Sequence, residues 1–297
     1  MTAMNTIHTQ SGFSSTVRGA SLRALQWRLL LLWIAALLIP TAMLTLPLWQ
    51  ILSERLDHTL HAGDLAQHIN LNAASDLLVS VTSDGVTLSS VGALAALIAV
   101  LITPFLNGMA AVAARAAEPL GFAALIQGGA AEYWRMLRML IVSLAPIAIA
   151  VGIGSAAMNG ADSYAQSAIL QSSADHMNLA AAILLGLLLM LALASADAGR
   201  AQFVLSIRKR SAWKAWWHGC KLIAARPAAT LGSYVVLTLA GVIVFALFGL
   251  LRINLPHANV FGFVVGLVLT QLAAATLAWI RGARLFALAD IAKANQA

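Results

Sequence analysis

The sequence predicts an all-α, polytopic membrane protein: six transmembrane helices in three hairpin repeats, both termini cytoplasmic, with interfacial amphipathic helices alongside. Three observations predict it. The 297 residues are 61% apolar and 10% charged, with a mean hydropathy of +0.85. A soluble domain is about a quarter charged, so a water-soluble enzyme is excluded. Six apolar runs are each long enough to cross the ~30 Å hydrocarbon layer, which takes roughly 20 helical residues. Finally, the basic residues fall almost entirely to one side of those runs.

The spans are expected at about 28–49, 91–114, 138–158, 178–197, 229–251 and 259–280. They are helices because a lone strand in lipid leaves its backbone polar groups unsatisfied. Leu, Ala, Ile and Val build them without period-two alternation. Residues 1–20 read as a disordered cytoplasmic N-terminus and 21–297 as a single transmembrane domain. The first run, Leu29–Trp49, is too long for a signal-peptide core and lacks a small-residue cleavage site, so it reads as a retained helix. Cys220 is the single cysteine, which rules out an internal disulfide and a Cys-based metal cluster.

Orientation follows from Lys and Arg. Sixteen of the eighteen basic residues lie on one side, and only Arg55 and Arg252 on the other. Both termini are therefore placed in the cytoplasm. The net charge of +7 is a topology signal and an attraction to anionic headgroups, not a nucleic-acid footprint. The partners this implies are membrane lipids, including anionic headgroups on the cytoplasmic side, and a membrane-protein partner.

Self-similarity supports the repeat. The even spans leave the membrane through Ala114-Arg115-Ala116, Gly199-Arg200-Ala201 and Ala283-Arg284-Leu285, the arginines 85 and 84 residues apart. The odd spans are approached through ALQWRLL (24–30), AEYWRML (131–137) and KAWWHGC (214–220). Trp27, Trp134, Trp213, Trp216 and Trp217 are thereby assigned to the membrane interface, where indole rings settle. Ser211 is expected to cap a helix over 212–225 that stops at Pro227. Trp213, Trp216, Trp217, Cys220 and Ile223 then share one stripe, flanked by Lys214, His218 and Lys221, as in a helix lying on the membrane. Mitochondrial carriers also have threefold, six-helix chains, but their charged signature is missing: Pro40 precedes Thr-Ala-Met and Pro146 precedes Ile-Ala-Ile.

The segments GGAAEYWRMLRMLI (128–141), ADAGRAQF (196–203), RSAWKAWWHGCKLIAARP (210–227) and WIRGARLFALADIA (279–292), with the loop LDHTLHAGDLAQHINL (56–71), carry a resemblance. The chain resembles a group of six-span inner-membrane proteins of proteobacteria to which no activity is assigned. The resemblance covers most of the chain after the first span. It implies a bacterial inner-membrane location and this topology, and adds no mechanism.

Chemistry is sparse. No span has an ionisable residue in its central portion, which argues against a proton relay. Asn107 and Gln271 are candidate polar binding residues within spans, though an interhelical hydrogen bond is the commoner role for such amides. Asp197 and Arg200 share a helix face at the inner end of the fourth span, suited to a network with Arg115 or Arg284 or to an anion. In the first outer loop, Glu54, His58, His61, Asp64 and His68 would fall on one stripe of a continuous helix with ligand types suited to a divalent metal. Ala62-Gly63 interrupts that stripe, and a solvated amphipathic lid is the plainer reading. No other cofactor is implied. The functions to weigh are a non-enzymatic component or subunit of an envelope complex, a permease for an amphipathic or lipid-like substrate, and an outer-face metal-dependent enzyme, in that order.

Overall fold

A computed structural model describes residues 2–56, 85–167, 170–205, 211–255 and 260–295. Among these residues there are eight α-helices and no strand. They are α1 (Thr2–Ala24), α2 (Trp27–Leu56), α3 (Gly85–Arg115), α4 (Phe122–Ser167), α5 (Gln171–Leu205), α6 (Ala212–Ala225), α7 (Pro227–Ile253) and α8 (Val260–Ala294). Six of them, α2 to α5 with α7 and α8, are long and apolar enough to cross a membrane. The chain is a multi-pass integral membrane protein.

Each spanning helix contains its expected apolar run and most extend well past it. The 46 residues of α4 reach ~69 Å, more than twice the hydrocarbon thickness. An apolar run marks the length that needs lipid, whereas a helix continues until something stops it. Prolines do not stop these helices: Pro40 and Pro47 lie inside α2, Pro104 inside α3 and Pro146 inside α4. Threonines beside two of these prolines donate back one turn, Thr41 Oγ1 to the Leu37 carbonyl at 2.8 Å and Thr103 Oγ1 to that of Ala99 at 2.9 Å.

Helix α1 is anchored through its last turns, where Ala20 and Ala24 are buried against α8. Trp279 Nε1 donates to the Ser21 carbonyl at 3.0 Å, and Arg23 pairs with Asp290. These anchors sit more than 250 residues away in the chain, so no local pattern announces them.

Helix α6 starts and ends where the cap and the proline place it, with the Lys214 N–H donating to Ser211 Oγ and Pro227 opening α7. Its buried face, however, is Ala212, Ala215, Gly219 and Leu222. The expected tryptophan stripe is split: Trp213 and Trp217 are exposed, while Trp216 turns toward α5 and donates from Nε1 to Ser195 Oγ at 3.1 Å. Small residues win this face because they let two backbones approach. A Cβ on Gly219 would stand 2.5 Å from the Gly199 nitrogen, and one on Gly199 would stand 3.0 Å from Trp216 Cα.

Helix α3 packs on α2 and α4, α4 on α5, α5 on α8, and α8 on α2. Helix α7 packs chiefly on α8, with lesser contacts to α6 and α1. The largest buried cluster joins α1, α3, α4, α5, α6, α7 and α8, at the end of the bundle that carries Arg115, Arg200 and Arg284.

Candidate functional site

The polar centre of the molecule is built at this end of the bundle from the start of α4 and the ends of α3, α5 and α8. Glu132 stands ten residues into α4 and is 6% exposed. Helices α3 and α4 cross at Gly108 and Gly129; a Cβ on Gly108 would lie 2.9 Å from the Gly129 carbonyl oxygen. That crossing brings Arg115, the last residue of α3, to Glu132. Arg115 Nη2 donates to Glu132 Oε1 at 2.8 Å and Arg135 Nη1 to Oε2 at 2.6 Å. Both carboxylate oxygens are thus held by guanidinium groups, the arrangement a buried carboxylate needs to remain charged. Arg115 also donates to the Phe203 carbonyl at 3.3 Å, satisfying an end group of α5, and Arg135 lies 4.7 Å from the Phe203 ring centre.

A second centre forms around Asp197. Its Oδ1 accepts from Arg200 one turn later, and its Oδ2 lies 3.7 Å from Arg284 Nε of α8. Arg284 Nη1 donates to Thr238 Oγ1 of α7 at 3.4 Å, and the guanidinium sits 4.6 Å from the buried Tyr234 ring. One carboxylate therefore fastens α5 to α8 and, through Arg284, to α7. The four arginines outnumber the two carboxylates by two, so the cluster keeps a positive surplus.

Asp197 and Arg200 come together as their spacing indicates, and Arg284 joins them. Arg115 goes to Glu132 instead. Asn107 on α3 and Gln271 on α8 are half-buried and take no part in either centre. Glu54 falls in the last turn of α2, while His58, His61, Asp64 and His68 lie outside the described residues. Among the described residues, no three of His, Cys, Asp or Glu gather as a metal site would require. Trp27, Trp134, Trp213 and Trp217 are exposed, and Trp216 is the one drawn into the protein. Sequence reasoning missed Glu132 as a site residue. The signal was present in part, since Glu132 and Arg135 stand three apart on a helix, but Arg115 reaches it across a turn.

Two cavities flank α1 at the same end of the bundle. One, of 530 Å³, is lined by Arg23, Gln26, Trp27, Arg28 and Glu118 among others, with Gln26 and Arg28 both directed to the Leu120 carbonyl. The other, of 790 Å³, lies between α1, α7 and α8. No family model, no curated protein and no solved structure matches the chain.

Proposed function

We propose that the chain is a non-enzymatic integral component of a bacterial inner membrane, a subunit of an envelope complex, with both termini in the cytoplasm. One observation carries this reading: the carboxylates of the polar centre are fully engaged by arginines. Both oxygens of Glu132 and both of Asp197 face arginines; the Arg115 pairing ties α3 to α4 and the Arg284 pairing ties α5 to α8, while Arg135 and Arg200 pair within their own helices. Such a centre holds a scaffold in shape. The outer face of α6 then offers Trp213 and Trp217 beside the exposed Lys214, His218 and Lys221, chemistry suited to anionic headgroups at a cytoplasmic surface. The excess of basic residues at this end and the resemblance to six-span inner-membrane proteins support the orientation. The recurrence of Arg115, Arg200 and Arg284, each meeting a carboxylate at the same end, supports three hairpins of one design.

The second reading, a permease for an amphipathic or lipid-like substrate, is favoured by the repeat and by the two cavities beside α1. Native mass spectrometry of gently extracted protein separates the two. A stoichiometric protein partner is the expected result. A lone chain or homo-oligomer carrying one discrete small molecule would reverse the order of the readings.

A further inference from the structure

We propose that the groove between α1, α7 and α8 binds one anionic membrane lipid, with its phosphate-bearing headgroup at Arg226 and an acyl chain along Phe13, Val17 and Ile291. The inference uses only the membrane placement of the bundle and holds whether the chain serves as a subunit or a permease.

The groove encloses 790 Å³, within the roughly 300–1,000 Å³ typical of ligand sites. Its body is apolar, formed by Phe13 and Val17 of α1, Ala228 and Ala229 of α7, and Ile291 and Ala294 of α8. Its mouth is polar and positive. Arg226 is the single residue joining α6 to α7, and its backbone adopts φ −136° and ψ 63° between the two helices. The side chain is exposed and, unlike those of Arg115, Arg135, Arg200 and Arg284, makes no ion pair or hydrogen bond among the described residues. The first turn of α7 has no side-chain cap, so the Ala228 and Ala229 N–H groups also remain open beside that guanidinium. The one carboxylate at the groove, Asp290, is already engaged by Arg23 and so presents little net charge to an incoming anion.

Position favours a lipid over a soluble anion. Helix α7 is apolar from Pro227 onward and long enough to span, and the groove runs from Arg226 along its first two turns to Ser233, so its charged mouth adjoins an apolar lining at the end of a candidate span. A lipid can enter sideways from the bilayer with its charge and its chain each already at the right level.

The test uses full-length protein in phosphatidylcholine bilayers carrying a trace of phosphatidylglycerol with a photoreactive acyl chain, with labelled phosphatidylcholine as the second arm. Labelling is expected on the peptides holding Phe13, Val17 and Ile291, about fivefold stronger for phosphatidylglycerol, the factor for one basic residue at an anionic surface. Arg226→Gln should lower phosphatidylglycerol labelling to the phosphatidylcholine level, and Ala229→Trp should remove both. Lys214→Gln with Lys221→Gln, which alters exposed cations on α6, should leave the ratio unchanged. Equal labelling by the two lipids, an equal loss in the Lys214 and Lys221 variant, or a protein–protein crosslink at Phe13 would each overturn the proposal. If Ala229→Trp does not fold, the wild-type map decides: label spread evenly over the lipid-facing sides of α7 and α8 overturns it. Failure of the protein to float with the bilayers would instead strike at the membrane placement itself.

Discussion

The two ends of α8 show the contrast that runs through the whole bundle. At its start Phe261 is 76% exposed; at its end Phe286 is 2% exposed, in a run where Leu285, Ala287 and Leu288 are also buried. The same apolar residue type is left bare at one end and enclosed at the other. In hydrocarbon, an exposed Phe loses nothing by facing lipid, so burial brings no hydrophobic gain and helices associate only through close packing and polar links. Near water both forces act. Accordingly the paired carboxylates, the Gly199–Gly219 approach and the largest buried cluster all occur at the arginine-rich end. The molecule is clamped at this end among the described residues.

The strongest way to break this contrast is to remove a clamp. Glu132→Ala leaves Arg115 and Arg135 without their partner in a largely buried setting, and should destabilise the protein by about 3 kcal/mol. Asp175→Ala removes an exposed carboxylate at the start of α5 that accepts from Gln171, and should stay within ~0.5 kcal/mol of wild type. Reversible unfolding in mixed micelles measures both, and equal losses would show that the clamp is not where stability resides.

Glycines sharpen the comparison at smaller cost. Gly219→Ala should destabilise by about 1–3 kcal/mol, because the new methyl meets the α5 backbone, which cannot swing aside as a side chain can. Gly249→Ala on α7 has nothing within 4 Å of its added carbon, and should be neutral or stabilising by up to ~1 kcal/mol through helix propensity. The same unfolding assay reads the pair, and a neutral Gly219→Ala would mean that α6 is free to lift from α5.

A loss of about 1 kcal/mol is expected for Trp216→Phe, which deletes the hydrogen bond to Ser195, and less for Trp213→Phe, whose ring is exposed. The smallest effect concerns Cys220. Burial pushes its thiol above the ordinary range, so less thiolate is present at a given pH. Maleimide should therefore modify Cys220 more slowly than a free cysteine at about pH 8. Unfolding or a rise in pH should narrow the gap, and a rate equal to that of free cysteine would place α6 off the bundle.

What could be read from the sequence divides along the same line. Spans are legible because a bilayer demands a run of apolar residues, and all six helices contain theirs. Helix α6 was legible to its ends because Ser211 is a local start signal and Pro227 a local stop signal. Its packed face was not: periodicity picked out large tryptophans, whereas Ala212, Ala215 and Gly219 decide which face meets α5 by being small. The pairing of Asp197 with Arg200 was visible because it is made within one helical turn. The Arg115–Glu132 link was not, since it depends on how closely two glycines let α3 and α4 cross. The anchoring of residues 20–24 was hidden for the same reason, their partners lying more than 250 residues away.

That last pairing has a consequence for how the protein is made. Arg23 and Asp290 are 267 positions apart, and Trp279 reaches back to Ser21. At roughly 5–20 residues added per second, the first helix emerges on the order of 15–50 s before the residues that receive it. Through that interval α1 must wait at the membrane surface without its seat. Docking of α1 on α8 is then reached only by chains in which residues 279–290 have been synthesised and inserted. A chain cut short before Trp279 would lack both anchors of α1 and leave that helix open to a protease.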